Sequence, residues 1–166
     1  MKKMNVNKLC GIISIPVMLG LSSCFLTEKP KTFSEKGITI TLDNTFFKAD
    51  LEGAKVAFSS SKSINIVFYD LDQKVSLANL FSAFDTKYVL SPIYEGQHYD
   101  ELHNKGDLTY YEFMLDHNKK DMYVLLTAFS DTICEVNMPM ENHEKYYETK
   151  VFEWLSTVQV EENVKK

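Results

Sequence analysis

Two runs decide the reading of the fold: Leu108-Thr109-Tyr110-Tyr111-Glu112-Phe113-Met114-Leu115-Asp116 and Met122-Tyr123-Val124-Leu125-Leu126-Thr127-Ala128-Phe129. Both are rich in aromatic and β-branched side chains, which suit a pleated, half-buried surface. Between them lies His117-Asn118-Lys119-Lys120-Asp121, whose Asn and Asp favour a turn. Upstream, Tyr94 to His103 reads as another strand, set off by the turn residues Asn104-Lys105-Gly106-Asp107. A three-stranded antiparallel meander is therefore expected over 94–129. Tyr123-Val124-Leu125-Leu126 is its most apolar run and is expected at the centre.

Working outward, Ile38, Ile40 and Leu42 alternate with Thr39 and Thr41, the pattern of a strand buried on one face. Thr32-Phe33-Ser34 precedes it across Glu35-Lys36-Gly37, so the pair predicts a hairpin. Lys55 to Ser59 and Ser63 to Tyr69 give two further strands. From Leu71 the period changes. Val75, Leu77, Leu80, Phe81 and Phe84 recur at helical spacing and predict an amphipathic helix over Gln73 to Phe84. A second helix is expected from Met140 to Trp154, with Tyr146, Tyr147, Val151, Phe152 and Leu155 along one face. Ser156 to Val160 reads as a closing strand. The order β-β-β-β-α-β-β-β-α-β predicts an α+β domain, mainly antiparallel, with helices packed on its sheet. Hydrophobic residues at 45% and aromatic ones at 13% suffice for one core.

The N-terminus reads differently. Lys2, Lys3 and Lys8 precede an uncharged apolar run, Leu9 to Leu21, in the order of an export signal. The run is shorter than the roughly 20 residues that cross a membrane. Pro16, Gly11 and Gly20 also weaken a long helix. Leu21-Ser22-Ser23-Cys24 ends it and resembles a bacterial lipobox: a branched apolar residue and two small ones that admit the signal peptidase, then a cysteine whose thiol takes a diacylglyceryl group, with palmitate-type chains. The expected division is a signal peptide over 1–23, lipidated Cys24 with a polar spacer over 24–31, a single domain over 32–161 and a tail over 162–166. Cleavage leaves 143 of the 166 residues, with 15 lysines against 23 acids. Such an acidic domain is expected to stand solvated on the extracytoplasmic side of the cell membrane, held by the lipid on Cys24.

Cysteine usage agrees. Cys10 falls in the leader and Cys24 is taken by lipid, so Cys134 is left without a disulfide partner. Flanked by Ile133 and Val136, it reads as a buried apolar residue rather than a nucleophile. All 18 basic residues are lysine, and the net charge is −5. Without arginine to grip phosphate or guanine, a nucleic-acid partner is not expected.

The run Lys31-Thr32-Phe33-Ser34-Glu35-Lys36-Gly37-Ile38-Thr39-Ile40-Thr41-Leu42 just after the lipobox, with Thr127-Ala128-Phe129, Phe152-Glu153-Trp154 and Ser156-Thr157-Val158-Gln159-Val160 at the other end, resembles small lipoproteins of low-GC Gram-positive bacteria with Mog1/PsbP-like mature domains. The resemblance covers both ends of the mature domain, and its motifs are structural. It implies an α/β/α sandwich used for binding or assembly, with no catalytic residue to carry over.

Catalytic constellations compete with this reading. Ile66-Val67-Phe68-Tyr69-Asp70-Leu71-Asp72 resembles the first motif of haloacid-dehalogenase-type phosphohydrolases, in which Asp-x-Asp works with magnesium. Lys74 stands where that motif wants Thr or Val, and the strand pattern is antiparallel. The preferred reading has Asp70 and Asp72 in a turn that caps the following helix. A metal-dependent hydrolase using this pair is the alternative. His98 and His103 fall on opposite faces of a strand, which disfavours joint metal ligation. His117 and His143 receive no role. No glycine-rich phosphate loop and no Gly-x-Ser-x-Gly elbow occurs. Tyr94, Tyr99, Tyr110, Tyr111 and Tyr123 read as half-buried sheet residues, or alternatively as the lining of a ligand groove. Neither metal nor cofactor is expected. The expected partner beyond the membrane is a protein or small molecule bound by a non-enzymatic domain.

Overall fold

The computed structural model describes residues 29–70, 76–117 and 120–161. Leu21, Ser22, Ser23 and Cys24, the start of the spacer, Asp72, the first residues of the expected helix and the 162–166 tail lie outside the described residues.

The first hairpin forms as expected. Strands β1 (Lys31–Glu35) and β2 (Ile38–Leu42) pair antiparallel, with Phe33 opposite Ile40. Lys36 and Gly37 turn between them at φ 48° and 76°. Two successive positive φ values mark the two-residue turn whose twist matches a hairpin, and glycine takes the second at no steric cost.

The next eight strands build a second sheet. Strand β3 (Phe46–Ala49) lies at one edge and pairs with β4 (Val56–Ser60), which pairs with β5 (Asn65–Asp70). The chain then leaves through helix α1 (Leu77–Lys87) and the two-residue strand β6 (Leu90–Ser91) to the short β7 (His103–Lys105). It returns through β8 (Leu108–His117), β9 (Lys120–Phe129) and β10 (Thr132–Pro139). Strand β10 inserts between β9 and β5, giving the order β3-β4-β5-β10-β9-β8-β6, with β7 also paired to β8. Every one of these pairings is antiparallel.

Four expectations change. The meander is β8-β9-β10, so the centre of the sheet is β10, which the sequence reading had not assigned to a strand; β9 lies beside it. Tyr94 to His103 is not a strand. It turns at Gly96 (φ 84°), and only His103 joins the sheet. The polar run Glu95-Gly96-Gln97-His98 is poor in strand formers, and that outweighs the tyrosines on either side. The edge strand β3 was also unassigned. The long C-terminal helix divides into α2 (Met140–Tyr146), a π-helical segment (Tyr147–Val151) and α3 (Phe152–Ser156). Because α3 runs through Ser156, the closing strand β11 shrinks to Gln159–Val160, paired with β2.

Parity along the strands sorts side chains onto two faces. On one, Phe58, Ile66, Phe68, Leu125, Cys134, Val136 and Met138 form the main core with Ile38 and Ile40 of the small sheet β1-β2-β11 and with Val151, Trp154 and Leu155 of the C-terminal helices. Trp154 packs edge-on to Phe46 at 5.0 Å and donates from Nε1 to Asp43 Oδ1 at 3.4 Å. On the other face a smaller core of Phe113, Leu115, Val124 and Leu126 meets Phe81 of α1.

A cleft between helix α1 and the sheet

Helix α1 begins at a cap. The Ser76 side chain accepts from the Asn79 amide at 3.2 Å. The cap is thus Ser76, and Asp70 does not supply it: its carboxylate pairs with Lys55 Nζ at 2.7 Å and stays mostly in solvent. Phe81 is the one buried residue of α1. It stacks on Tyr111 at 4.4 Å and meets Phe113 edge-on at 5.6 Å, which pins one flank of the helix to the sheet.

The other flank packs less deeply, with Phe84 edge-on to Phe113 at 5.7 Å and Leu80 half-buried. Leu80, Ala83, Phe84 and Lys87 follow at helical spacing and overhang a cleft of about 590 Å³. Leu115, Met122 and Val124 supply its apolar floor. Elsewhere the lining is polar, where Glu135 and Asn137 of β10 and Tyr69 of β5 face the same space. These residues share a face because strand register places Glu135 beside Leu126 and Val67, and Asn137 beside Val124 and Asn65.

The polar groups are ordered in one direction. Ser59 donates its hydroxyl to Asn65 Oδ1 at 2.7 Å. Asn65 Nδ2 donates to Asn137 Oδ1 at 2.8 Å, and Asn137 Nδ2 donates to Glu135 Oε1 at 2.6 Å. From the opposite side the Tyr69 hydroxyl donates to Glu135 Oε2 at 3.2 Å. Every donor in the chain points toward the Glu135 carboxylate. Burial pushes the Glu135 carboxyl above its usual range, against the two hydrogen bonds that favour its ionised form. Burial, with the carboxylate beside it, raises the Tyr69 phenol as well, so it stays a donor.

A second polar group lies on the opposite face, under α2 and the π-helical segment. Glu112 is 4% exposed and accepts from the Tyr123 hydroxyl at 3.3 Å, and the Tyr110 and Tyr147 hydroxyls meet at 3.2 Å. Burial raises the Glu112 carboxyl. His143, also buried, lies 4.5 Å from the Tyr123 ring and 4.7 Å from Tyr147, and burial holds its imidazole below the usual range. Its Nε2 has no hydrogen-bond partner among the described residues. Sequence reading gave His143 no role. Its place between Met140 and Tyr147 on a buried helical face is the signal that could have marked it as a core residue.

The other marked residues are dispersed. Among the described residues no group of three His, Cys, Asp or Glu side chains could hold a metal ion. His103 stacks on Tyr110 at 5.6 Å, while His98 sits in the irregular segment before β7. The five tyrosines do not share a groove. Tyr110 and Tyr123 face the main core, Tyr99 and Tyr111 pack beside Phe81, and Tyr94 is 41% exposed. Cys134 is fully buried, and its thiol is pushed up by that burial. Among the described residues no helix is long and apolar enough to cross a membrane.

No family profile and no curated protein matches the sequence. Among solved structures, the chain is similar to the solution structure of cyanobacterial PsbP (CyanoP) from Synechocystis sp. PCC 6803, at 12% identity over 93% of this chain and 98% of that one, with a TM-score of 0.51. The likeness lies in the fold. The chain has the mainly antiparallel α+β, PsbP-like architecture that the sequence predicts.

Proposed function

We propose that this chain is a bacterial lipoprotein of low-GC Gram-positive type, anchored through lipid on Cys24 at the extracytoplasmic face of the cell membrane, and that its PsbP-like domain is a non-enzymatic binding module. The observation that carries the binding role is the cleft beneath α1. It has apolar walls, a volume of about 590 Å³ and one focused polar group at Glu135. Small-molecule sites combine these features: a concave apolar lining within roughly 300–1,000 Å³ and a few fixed polar groups. The anchoring role rests on the basic start, the Leu9–Leu21 run and Leu21-Ser22-Ser23-Cys24.

Each half has its own test. Cys24→Ala abolishes incorporation of labelled fatty acid and leaves the precursor uncut; unchanged labelling would refute the anchor. For the cleft, the full chain in a nonionic detergent is titrated with 2-phenylethanol while methyl NMR signals of Met122 and Leu80 are followed. Saturable shifts are expected in the wild type. They should vanish in Ala83→Trp, whose indole fills the space under α1. Absent shifts in the wild type with both 2-phenylethanol and 2-phenylethylamine, or equal shifts in the filled variant, would remove the cleft as a binding site.

A further inference from the structure

We propose that the cleft takes a protonated amine carried on an apolar body, with the ammonium at Glu135; this rests on the cleft being the binding site. The argument begins with what Glu135 lacks. A carboxylate has about four lone-pair positions. Asn137 and Tyr69 occupy one on each oxygen. The four ion pairs formed among the described residues do not involve Glu135. A half-buried carboxylate against apolar walls, without a cationic partner, is costly unless a positive group meets it.

No lysine of the cleft takes that place. Lys87 stands at the solvent edge of α1, with its ammonium 4.9 Å from the centre of the Tyr88 ring. The hydrogen-bond chain supplies further direction. Ser59, Asn65 and Asn137 each pass a donor toward the carboxylate, which fixes the Asn137 amide with its nitrogen at Glu135. That polarity favours an acceptor at the end of the chain and leaves its free lone pairs for a ligand N–H. A ligand carboxylate would meet repulsion there, and a neutral hydroxyl would leave the charge uncompensated. The walls set the rest of the ligand. Leu80, Phe84, Leu115 and Val124 offer apolar surface on both sides of the cleft, so the body that carries the amine must be apolar. The acidic balance of the whole chain, −5, adds a long-range field of the same preference.

Three ligands of matched shape test this: 2-phenylethylamine, 2-phenylethanol and 3-phenylpropionate, titrated at neutral pH against the full chain with the same methyl signals. The amine is expected to bind at least tenfold more tightly than the alcohol, with the carboxylate weakest. In Glu135→Gln the amine should fall to within about threefold of the alcohol. The ranking in the wild type needs no variant, so poor folding of the Glu135→Gln variant does not blunt the test. If amine and alcohol bind alike while both shift the cleft signals, the amine assignment is overturned and the cleft stands. If none of the three shifts them, both are overturned.

Discussion

Removing the Phe81 ring tests whether α1 is held by a single peg. Phe81 is the only buried residue among the eleven of α1 and is 7% exposed. Burying a side chain of this size contributes about 2–3 kcal/mol. Its offset stack on Tyr111 at 4.4 Å adds about 1 kcal/mol. Relaxation of the half-buried Leu77, Leu80 and Phe84 around the gap recovers part of that, so Phe81→Ala should cost the docked helix about 3 kcal/mol. An eleven-residue helix is marginal in water, so an undocked α1 is an unfolded one. Amide hydrogen exchange therefore reads the docking directly. At about 1.4 kcal/mol per tenfold, α1 amides from Phe81 onward should exchange roughly a hundredfold faster in Phe81→Ala, while amides of β5, β9 and β10 change little. Acceleration below tenfold would mean that the helix is held by other contacts. Equal acceleration in α1 and the central strands would mean that α1 opens only with the whole domain, and the peg would be refuted.

Two further experiments, one substitution and one labelling, probe buried groups on the opposite face. Glu112 has a folded carboxyl raised above its ordinary value of 4.5, so the stability it contributes is fully present below that value and is lost as pH rises through the folded one. Glu112→Gln should therefore gain on the wild type between pH 4.5 and pH 7.5 in urea midpoints, and a gap that does not move with pH would count against a desolvated carboxylate. Cys134 has no exposed surface and a thiol raised by burial, so a maleimide should label it at a rate that follows global unfolding; fast labelling in native buffer would place it at the surface.

Local signals made half of this fold legible. The β1–β2 hairpin follows from strict alternation at Ile38, Ile40 and Leu42 and from a glycine at the turn, both carried within twelve residues. Strands β8 and β9 follow from their aromatic and β-branched content. Strand β10 hid for a physical reason. Its Cys134, Val136 and Met138 face the main core, while Glu135 and Asn137 face the α1 cleft. A carboxylate and an amide at the centre of a sheet do not resemble the continuous apolar run of a doubly covered strand. The same substitution of polar for apolar residues that makes β10 hard to read makes the cleft chemically distinctive. The cleft itself could not be read locally, because Tyr69, the α1 stripe, Val124 and Glu135 come from four separated stretches that only the insertion of β10 between β5 and β9 brings together.

That insertion also explains why the polar chain and the α1 cleft share one face. The centre of the main-core face is closed by Val151, Trp154 and Leu155 and by the small sheet, and Glu112 accepts there from Tyr123, while at its margin His143, with Nε2 unpartnered among the described residues, lines a second cleft of about 660 Å³ with Tyr94 and Tyr147. A ligand at the centre of that face would have to displace packed aromatic rings. On the opposite face α1 carries one buried residue and overhangs the sheet along its other flank. The hydrogen-bonded chain from Ser59 to Glu135 converges under that flank. A ligand entering there meets a carboxylate already oriented by its neighbours, beneath a helix fixed to the sheet through Phe81 and Phe84. The overhanging helix and the preformed polar floor are thus complementary: the floor supplies recognition without reorganisation, and the helix supplies an apolar wall already in place.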